Sequence, residues 1–492
     1  MPKTKMRKIT IEPVTRVEGH GKVTIHLDER NRVVQSRLHI VEFRGFERFV
    51  QGRPYWEAPV LVQRLCGICP VSHHLAAAKA MDVIVGAGTG NGLTPTAEKV
   101  RRLMHYGQIF QSHVLHFFHL CSPDFLFGID ADPAVRNVVG VAVAHRDLAA
   151  KAVWMRKFGQ EIIKATAGKK IHGTGAIPGG VNKNLSLQER DAFVNGIGGN
   201  PLLTADRMVE WSQEALEFFK DYHKKQKDLI DGFAAFPSNH LSLVRKDGAL
   251  ELYDGVIRAV DADGNRLVDD VECQDYHRII SEGVKNWSYM KFPYLTELGP
   301  EKGWYRVGPL ARLNVCDFID TPNAQREFLA FRAYTKGKPN GMSMHYHWAR
   351  LIEILYAAEK MRDLLADPDL QGEELVVKGK RRPTGVGVIE APRGTLFHHY
   401  DVDENDLITM CNLIVATTNN NEPMNAAVNA AAVSRMQGEP EITEAMMNAV
   451  EVAIRAYDPC LSCATHAIGR MPLEVRLINP HGRTLAVKRA NM

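Results

Sequence analysis

The residues best suited to chemistry in this sequence are two pairs of cysteines with the spacing Cys-x-x-Cys. One pair is Cys66 and Cys69, near the start of the chain, and the other is Cys460 and Cys463, near its end. The short spacing brings the two sulfurs of each pair close together. Thiolates are soft ligands that suit zinc, iron–sulfur chemistry, copper(I) or nickel. The pairs therefore predict a metal or redox site.

The distance between the pairs along the chain separates the possible kinds of site. Zinc ribbons place their pairs about 15–20 residues apart, whereas positions 70–459 lie between the pairs here. A thioredoxin-like site needs one pair after a strand in a βαβ unit, and neither pair has that context. A site that joins both ends of a large chain favours one cooperative domain. A non-enzymatic scaffold clamped by zinc stays open as an alternative.

The composition is that of an ordinary globular protein and excludes several classes of function. The chain has 492 residues, 45% of them hydrophobic and 24% charged, with a net charge of +4. Without a basic block, nucleic acid is not an expected partner. No apolar run approaches the roughly 20 residues of a membrane helix, and the N-terminus lacks the apolar segment of a signal peptide. These features predict a cytoplasmic protein without a membrane span.

The elements that must position the cysteines are mostly helical. Helical spacing of apolar residues, together with N-terminal capping signals, predicts helices from Pro95, Thr204 and Pro322. A helix over 76–85 follows the first cysteine pair, and one over 444–457 leads into the second. The predicted fold is mainly α: a large helical-bundle body with an N-terminal antiparallel β hairpin or sheet and a small β excursion around 246–272.

The predicted β elements are few and short. Alternating β-rich residues predict strands at 22–27 and 33–41. Within the excursion, strands are expected at Leu250–Tyr253 and Val256–Val260. The last stretch, 473–490, is predicted to be a hairpin with its turn at 479–482.

Both cysteine pairs lie within longer motifs, and two further stretches accompany them. The motif residues are Arg64, Cys66, Gly67, Cys69 and His73 in the first, and Asp458, Pro459, Cys460, Cys463 and His466 in the second. With the stretches 12–20 and 390–394, they make the sequence closely similar to the large subunits of nickel–iron hydrogenases, from about residue 8 to the end. Residues 41–47 and 287–294 resemble most the cytoplasmic NAD-reducing bidirectional group.

The resemblance implies a bimetallic centre on the four cysteines. Nickel would be held by Cys66, Cys69, Cys460 and Cys463. The second cysteine of each pair, Cys69 and Cys463, would also bridge to iron. The iron of this family carries carbon monoxide and cyanide ligands, and Thr417 is a candidate donor to a cyanide.

Heterolytic cleavage of H2 needs a Lewis-acidic metal and a nearby base. The thiolate of Cys460 is the candidate base, and Glu18 matches the family's proton-transfer glutamate. By resemblance, Arg393 would lie over the metals and pair with Asp458. Ser112 occupies the position where relatives carry a second aspartate. Taken alone, Glu18 would be a surface carboxylate paired with Arg16.

The resemblance also implies a magnesium ion beside the centre. Its ligands would be Glu47, His466 and the backbone carbonyl of Leu413, in keeping with the hard oxygen ligands that magnesium prefers. Four histidines share one helix and could bind a further metal, although buried hydrogen-bonding roles are favoured: His105, His113, His116 and His119. The four isolated cysteines are predicted to be packing residues: Cys121, Cys273, Cys316 and Cys411.

The predicted function is reversible cleavage of H2 to protons and electrons by a catalytic domain spanning 1–466. The tail Ala467–Met492 would be removed by a maturation endopeptidase after nickel-insertion proteins have acted. Electrons would pass to an iron–sulfur small subunit and on to NAD+ through flavin and iron–sulfur diaphorase subunits. The chain itself is expected to bind no NAD, flavin or iron–sulfur cluster: its glycine-rich stretch 86–92 fails the dinucleotide pattern. A metal-free subunit like a core subunit of respiratory complex I is a second alternative.

Overall fold

A computed structural model describes residues 7–87 and 92–465, and the backbone of two strands at 473–478 and 484–490. Its α-helices are α1 (Phe46–Phe49), α2 (Ala58–Leu61), α3 (Pro70–Ile84), α4 (Pro95–Leu115), α5 (Ser122–Phe127), α6 (Val138–Ala144), α7 (Arg146–Ala167), α8 (Leu187–Asn195), α9 (Ala205–Lys225), α10 (Lys227–Gly232), α11 (Gly299–Lys302), α12 (Pro309–Val315), α13 (Pro322–Tyr334), α14 (Tyr346–Leu365), α15 (Ala416–Asn419), α16 (Asn421–Met436) and α17 (Glu444–Ala456). Its strands are β1 (Arg7–Ile11), β2 (Gly21–Leu27), β3 (Val33–Ile40), β4 (Ala176–Ile177), β5 (Gly180–Val181), β6 (Asn239–Val244), β7 (Val256–Val260), β8 (Arg266–Val271), β9 (Ile280–Gly283), β10 (Phe292–Leu295), β11 (Tyr305–Arg306), β12 (Thr384–Ala391), β13 (Gly394–Val402), β14 (Ile408–Ile414), β15 (Leu473–Ile478) and β16 (Thr484–Ala490).

Long helices form the centre of the molecule, and the predicted mainly α fold is confirmed. Helix α4 packs against α7 and α14, and α14 packs against α9 and α13. The predicted helix starts are correct: the hydroxyl of Thr94 accepts a hydrogen bond from the Ala97 amide, and that of Thr204 accepts one from the Arg207 amide. These caps satisfy amides that the first helical turn leaves unpaired. Within the described ranges, no helix combines the length and hydropathy that a bilayer crossing requires.

The N-terminal β prediction is confirmed and extended by one strand. Strands β1, β2 and β3 form an antiparallel sheet in that order. The tail strands β15 and β16 pair antiparallel, as predicted for the C-terminal hairpin; the turn predicted at 479–482 lies outside the described residues.

The β excursion is a four-stranded sheet in the order β11, β6, β7, β8. The strand expected at Leu250–Tyr253 does not form, and this prediction was wrong. The Leu252 carbonyl instead accepts hydrogen bonds from the Glu390 amide at 3.0 Å and from His105 Nε2 at 2.9 Å. The backbone of this buried segment is thus paired with other elements, and apart from an isolated bridge between Leu250 and Val244 it joins no strand.

The antiparallel sheet β12–β13–β14 was not predicted from the sequence, and it positions part of the site. Helix α3 lies directly on β12, where a β-carbon at Gly385 would overlap the Ala80 carbonyl and one at Gly387 the Ala76 carbonyl. The order of these contacts shows that α3 and β12 run in opposite directions. The N-terminal end of α3, where Cys69 lies, is therefore brought to the tip of the β12–β13 hairpin.

Candidate metal centre

The structure brings the two cysteine pairs together in the core, as predicted. Their four sulfur atoms all lie within 4.8 Å of one another. The Sγ atoms of Cys66 and Cys460 are 3.3 Å apart, and those of Cys69 and Cys463 are 3.9 Å apart. The sulfurs of Cys460 and Cys463 are in bonding contact; as ligands of a metal they would be separate thiolates.

Local structure explains how each pair presents its sulfurs. Cys69 is the N-cap of α3, whose first residue is Pro70, and Cys66 follows a 3₁₀ turn. The amides of Ile68 and Cys69 both donate to Cys66 Sγ at 3.2 Å. Cys460 follows the end of α17, and Cys463 lies in a 3₁₀ turn. Each sulfur therefore projects from a helix end or tight turn, and the two amides that contact Cys66 Sγ stabilise a thiolate there.

Charge around the first pair also favours a thiolate. Burial raises the pKa of the Cys66 thiol, but its hydrogen bonding with Cys69 and the nearby Arg393 guanidinium together bring that pKa below its ordinary value. The hydrogen bond to Cys66 and burial raise the pKa of Cys69. A bound metal cation would stabilise the thiolates of the other cysteines, because metals bind cysteine sulfur in its deprotonated form.

A small cavity of about 10 Å³, close to the space that one water molecule needs, lies beside the sulfurs of Cys69 and Cys460. Its wall is mostly apolar and is completed by these residues: Ser72, His73, Ala391, Pro392, Arg393, Leu396, Val415, Ala416 and Thr417. Among the residues that the structure describes, Arg393 Nη1 and Ser72 Oγ have no hydrogen-bond partner. Buried donors are normally satisfied, so the cavity fits a small group that carries acceptor atoms. Four sulfurs beside such a cavity fit a nickel–iron centre better than a closed zinc site.

Arg393 occupies the two-residue tip between β12 and β13 and contacts Asp458. Its Nε donates to the Asp458 carbonyl at 2.6 Å, and its Nη2 donates to Oδ1 of the same residue at 3.1 Å. Both side chains are buried. Burial disfavours the charge on Arg393, but Asp458 outweighs it and keeps the pKa of the guanidinium above its ordinary value. Ser112 is fully buried on α4, and no hydrogen bond to its hydroxyl is found in the described part of the chain.

Glu18 lies against the second cysteine pair. Its Oε2 accepts a hydrogen bond from Cys460 Sγ at 3.0 Å and from the Ser462 amide at 3.2 Å. The Ser462 hydroxyl donates to Oε1. The Leu461 amide also donates to the Glu18 carbonyl at 2.9 Å. The alternative pairing with Arg16 is not found, because Arg16 instead bonds Asp124.

The remaining predicted residues are distributed around this centre. Thr417 lies at the start of the short helix α15, and its Oγ1 accepts a hydrogen bond from the Cys460 amide at 3.0 Å. Glu47 is buried, and its Oε1 accepts the Leu413 amide at 3.0 Å. His466 lies outside the described residues. The preceding residue, Thr465, has its carbonyl bonded to the Arg44 amide at 2.6 Å, near Glu47.

Three of the four histidines on α4 and the following π-helical turn are hydrogen-bonding residues, as favoured from the sequence. His105 bonds the Leu252 carbonyl, His113 bonds Glu353, and His116 bonds the Arg455 carbonyl. Burial lowers the pKa of His105 to about 3 and that of His113 to about 4. They are therefore neutral residues of the core. The predicted packing role also fits Cys121, Cys316 and Cys411, which are buried.

Two contributors to the site were missed from the sequence. Ser462 donates two hydrogen bonds to Glu18, and Ser72, whose hydroxyl has no hydrogen-bond partner, lines the cavity. The available signal was position: Ser462 stands between the second pair of cysteines, and Ser72 lies one helical turn after Cys69.

Comparisons with known proteins agree with this geometry. The family model described as nickel-dependent hydrogenase matches residues 44–144 and 253–466, and one described as HoxL-like matches residues 8–43. The beta subunit of the NAD-reducing hydrogenase HoxS from Cupriavidus necator is 54% identical over 484 residues, covering 97% of this chain and 99% of the relative. An F420-non-reducing hydrogenase chain from Methanothermobacter thermautotrophicus is 43% identical, covering 94% of this chain and 95% of the relative.

Solved structures show the same likeness. A crystal structure of an NAD+-reducing nickel–iron hydrogenase in the H2-reduced state superimposes with a TM-score of 0.90 and 53% identity, covering 94% of this chain and all of that one. A nickel–iron–selenium hydrogenase from D. vulgaris Hildenborough, at 24% identity and a TM-score of 0.73 over 94% of this chain and all of that one, shows likeness of fold alone.

Proposed function

Because the chain belongs to the nickel-dependent hydrogenase family, we propose that its four convergent cysteines hold a nickel–iron centre at which H2 is converted reversibly to two protons and two electrons. The single observation that carries this proposal is the convergence of Cys66, Cys69, Cys460 and Cys463 within 4.8 Å. Cys69 and Cys463 would bridge the two metals, and Cys66 and Cys460 would bind nickel alone. A metal-free subunit of the complex I type would not require four cysteine sulfurs to converge, so this convergence argues against that alternative.

When bound, the metal centre supplies the Lewis acid that polarises H2 for heterolytic cleavage. The thiolate of Cys460 accepts the proton, because it is the sulfur that also contacts a carboxylate. Glu18 Oε2, 3.0 Å away, takes the proton onward. Two donors from Ser462 hold the carboxylate against the sulfur. This short hydrogen-bonded pair connects the buried sulfur to a residue that is only partly buried.

The cavity wall supports small ligands on the iron. Carbon monoxide and cyanide combine a compact shape with an acceptor atom, and the cavity offers apolar surface together with unpaired donors from Arg393 and Ser72. Thr417 lines the same cavity and has its hydroxyl proton free to donate, since its oxygen accepts the Cys460 amide. Arg393 would place a fixed cation beside the anionic thiolates and cyanides.

A magnesium ion beside the centre is the second metal that we propose. Glu47 supplies a buried carboxylate in contact with Leu413, and the backbone at Thr465 is tied to the segment that contains Glu47. His466 follows directly in the chain. A carboxylate and a backbone carbonyl are the hard oxygen ligands that magnesium prefers.

Metal analysis and infrared spectroscopy of the purified enzyme complex test the proposed centre. We expect about one nickel and one iron for each copy of this chain beyond the iron of partner subunits, magnesium, and infrared bands from iron-bound carbon monoxide and cyanide. Zinc in place of nickel, without such bands, would establish the zinc-clamped scaffold instead.

The electrons must leave through partner subunits. Outside the four-sulfur group, the described residues contain no further cluster of cysteines, so an iron–sulfur small subunit is the proposed first acceptor. The high identity to an NAD-reducing relative supports NAD+ as the final acceptor, reached through flavin and iron–sulfur diaphorase subunits in the cytoplasm.

Removal of the tail Ala467–Met492 completes the proposed maturation. Nickel-insertion proteins would need access to the second cysteine pair, and a maturation endopeptidase would then cut after His466. Intact-mass measurement of active enzyme is expected to give a chain that ends at His466. An active enzyme whose chain ends at Met492 would contradict this prediction.

A further inference from the structure

A buried ionic cluster lies directly behind the hairpin tip that carries Arg393. Arg312, on α12, donates from Nε and Nη2 to the two carboxylate oxygens of Glu353, both at 2.6 Å. Its Nη1 donates to Glu390 Oε2 at 2.7 Å and to the Ala391 carbonyl at 2.9 Å, and its Nη2 reaches the Pro392 carbonyl at 3.4 Å. The side chains of Arg312, Glu353 and Glu390 are completely buried.

Arg312 of this cluster forms hydrogen bonds with the backbone immediately before Arg393. Ala391 and Pro392 are the two residues immediately before it, and both carbonyls accept from Arg312. Glu390 is itself fixed, because its Oε1 accepts the Leu243 amide at 2.9 Å and the Thr395 hydroxyl at 2.6 Å. Strand β12, the start of β13 and helix α12 are thereby tied together at the tip.

Arg393 depends on its backbone for its direction. Asp458 is the one carboxylate that its guanidinium contacts among the described residues, and Nη1 is left without a partner. Its two hydrogen bonds to Asp458 hold one edge of the guanidinium, and the position of its Cα determines where the other edge points. A shift of the tip would move the unpaired Nη1 away from the cavity.

We propose that Arg312 is a positioning residue for the hydrogenase reaction, which holds the 391–393 tip so that the Arg393 guanidinium faces the metal centre. The inference rests on the proposed function, because the position of the Arg393 guanidinium affects the reaction only if the metal centre lies beside it.

The proposed role of residue 312 requires arginine. A planar guanidinium can bond two carboxylates and two carbonyls at once, whereas a lysine ammonium has three donors and no fork. Two buried carboxylates around one cation also make removal of the charge costly, so the informative variant is one that keeps it.

The test is R312K in the complete enzyme complex, with R101K as the matched control. Arg101 is equally buried, bonds both oxygens of Asp82 and reaches the carbonyls of Ile177 and Gly180, but it makes no contact with the tip. For R312K we expect unchanged nickel content, shifted infrared bands of the cyanide ligands, and H2-oxidation kcat lowered about 10- to 100-fold, as displacement of a catalytic group by about 1 Å produces. R101K is expected to keep the wild-type bands and kcat.

A second variant keeps the proposal testable if R312K does not fold. E390Q preserves the shape of the side chain and leaves an oxygen that can accept from Leu243 and Thr395, but its NH2 group is a donor and cannot accept from Arg312. We expect the same band shift with a severalfold loss of kcat. If R312K or E390Q folds and keeps the wild-type infrared bands and kcat, the positioning role is overturned. An equal band shift in R101K would also overturn it. Absence of the bands from wild-type enzyme would instead refute the proposed centre itself.

Discussion

Replacement of Cys460 by serine is expected to abolish H2-dependent activity, with a loss of about a thousandfold or more, and to lower nickel content. Serine has nearly the same shape, but its hydroxyl is a hard, weakly acidic ligand that does not replace a thiolate on nickel. The same substitution also removes the proposed proton acceptor that contacts Glu18 at 3.0 Å. Activity with H2 and an artificial electron acceptor, together with nickel analysis, measures both effects.

Cys316→Ser is the matched control for this prediction. Cys316 is also buried, but it is a free cysteine outside the four-sulfur group. The serine places a polar group in an apolar position and is expected to lower stability by about 1–3 kcal/mol. Nickel content and activity at ordinary temperature are expected to stay close to wild type. Full activity in Cys460→Ser would remove the basis for a metal centre on these cysteines.

Replacement of Glu18 by glutamine is expected to lower H2 oxidation by about 10²–10⁴-fold while nickel stays bound, because glutamine cannot take up a proton at neutral pH and proton transfer by a positioned side chain contributes a factor of this size. The amide keeps the size of the side chain and an oxygen that can accept from Ser462, so the second cysteine pair retains its support. Steady-state rates and nickel content of the same preparation give the two readouts.

Glu327→Gln is the corresponding control for the loss of a buried carboxylate. Glu327 lies on α13 and pairs with Lys220, away from the sulfurs. Its replacement is expected to cost little stability and to leave the rate unchanged. An E18Q enzyme that retains the wild-type rate would show that protons leave the centre by another route.

Much of the site could be predicted from the sequence because its chemistry depends on residue type and short spacing. Two Cys-x-x-Cys pairs within long motifs identified the four sulfurs that meet in the core, and the motif residues Glu18, Arg393 and Asp458 are found around them. The helix starts at Thr94 and Thr204 were predictable for a similar reason, since capping is a local interaction. The N-terminal strands β2 and β3 were predictable from their β-rich residues, although their burial does not alternate strictly: β2 is buried or half-buried throughout.

The sheet β12–β14 shows why other parts were not predictable. Strand β12 is buried along nearly its whole length, so it lacks the alternation that marks a half-exposed strand. The strand predicted at Leu250–Tyr253 does not form for a different reason. Its sequence resembles a strand, but its backbone groups form hydrogen bonds with partners distant in the chain, and such tertiary contacts override local propensity.

The sequence by itself determined the kind of centre, because soft sulfur ligands at these spacings and within these motifs leave few chemical choices. Only the tertiary structure decided how the ends of the chain meet, which sulfur Glu18 contacts, and what holds Arg393. These depend on non-local packing: α3 packs on β12, and Arg312 bonds a tip some 80 positions further along the chain. The local sequence does not reveal such contacts, because residue type alone does not show whether an arginine is buried or exposed.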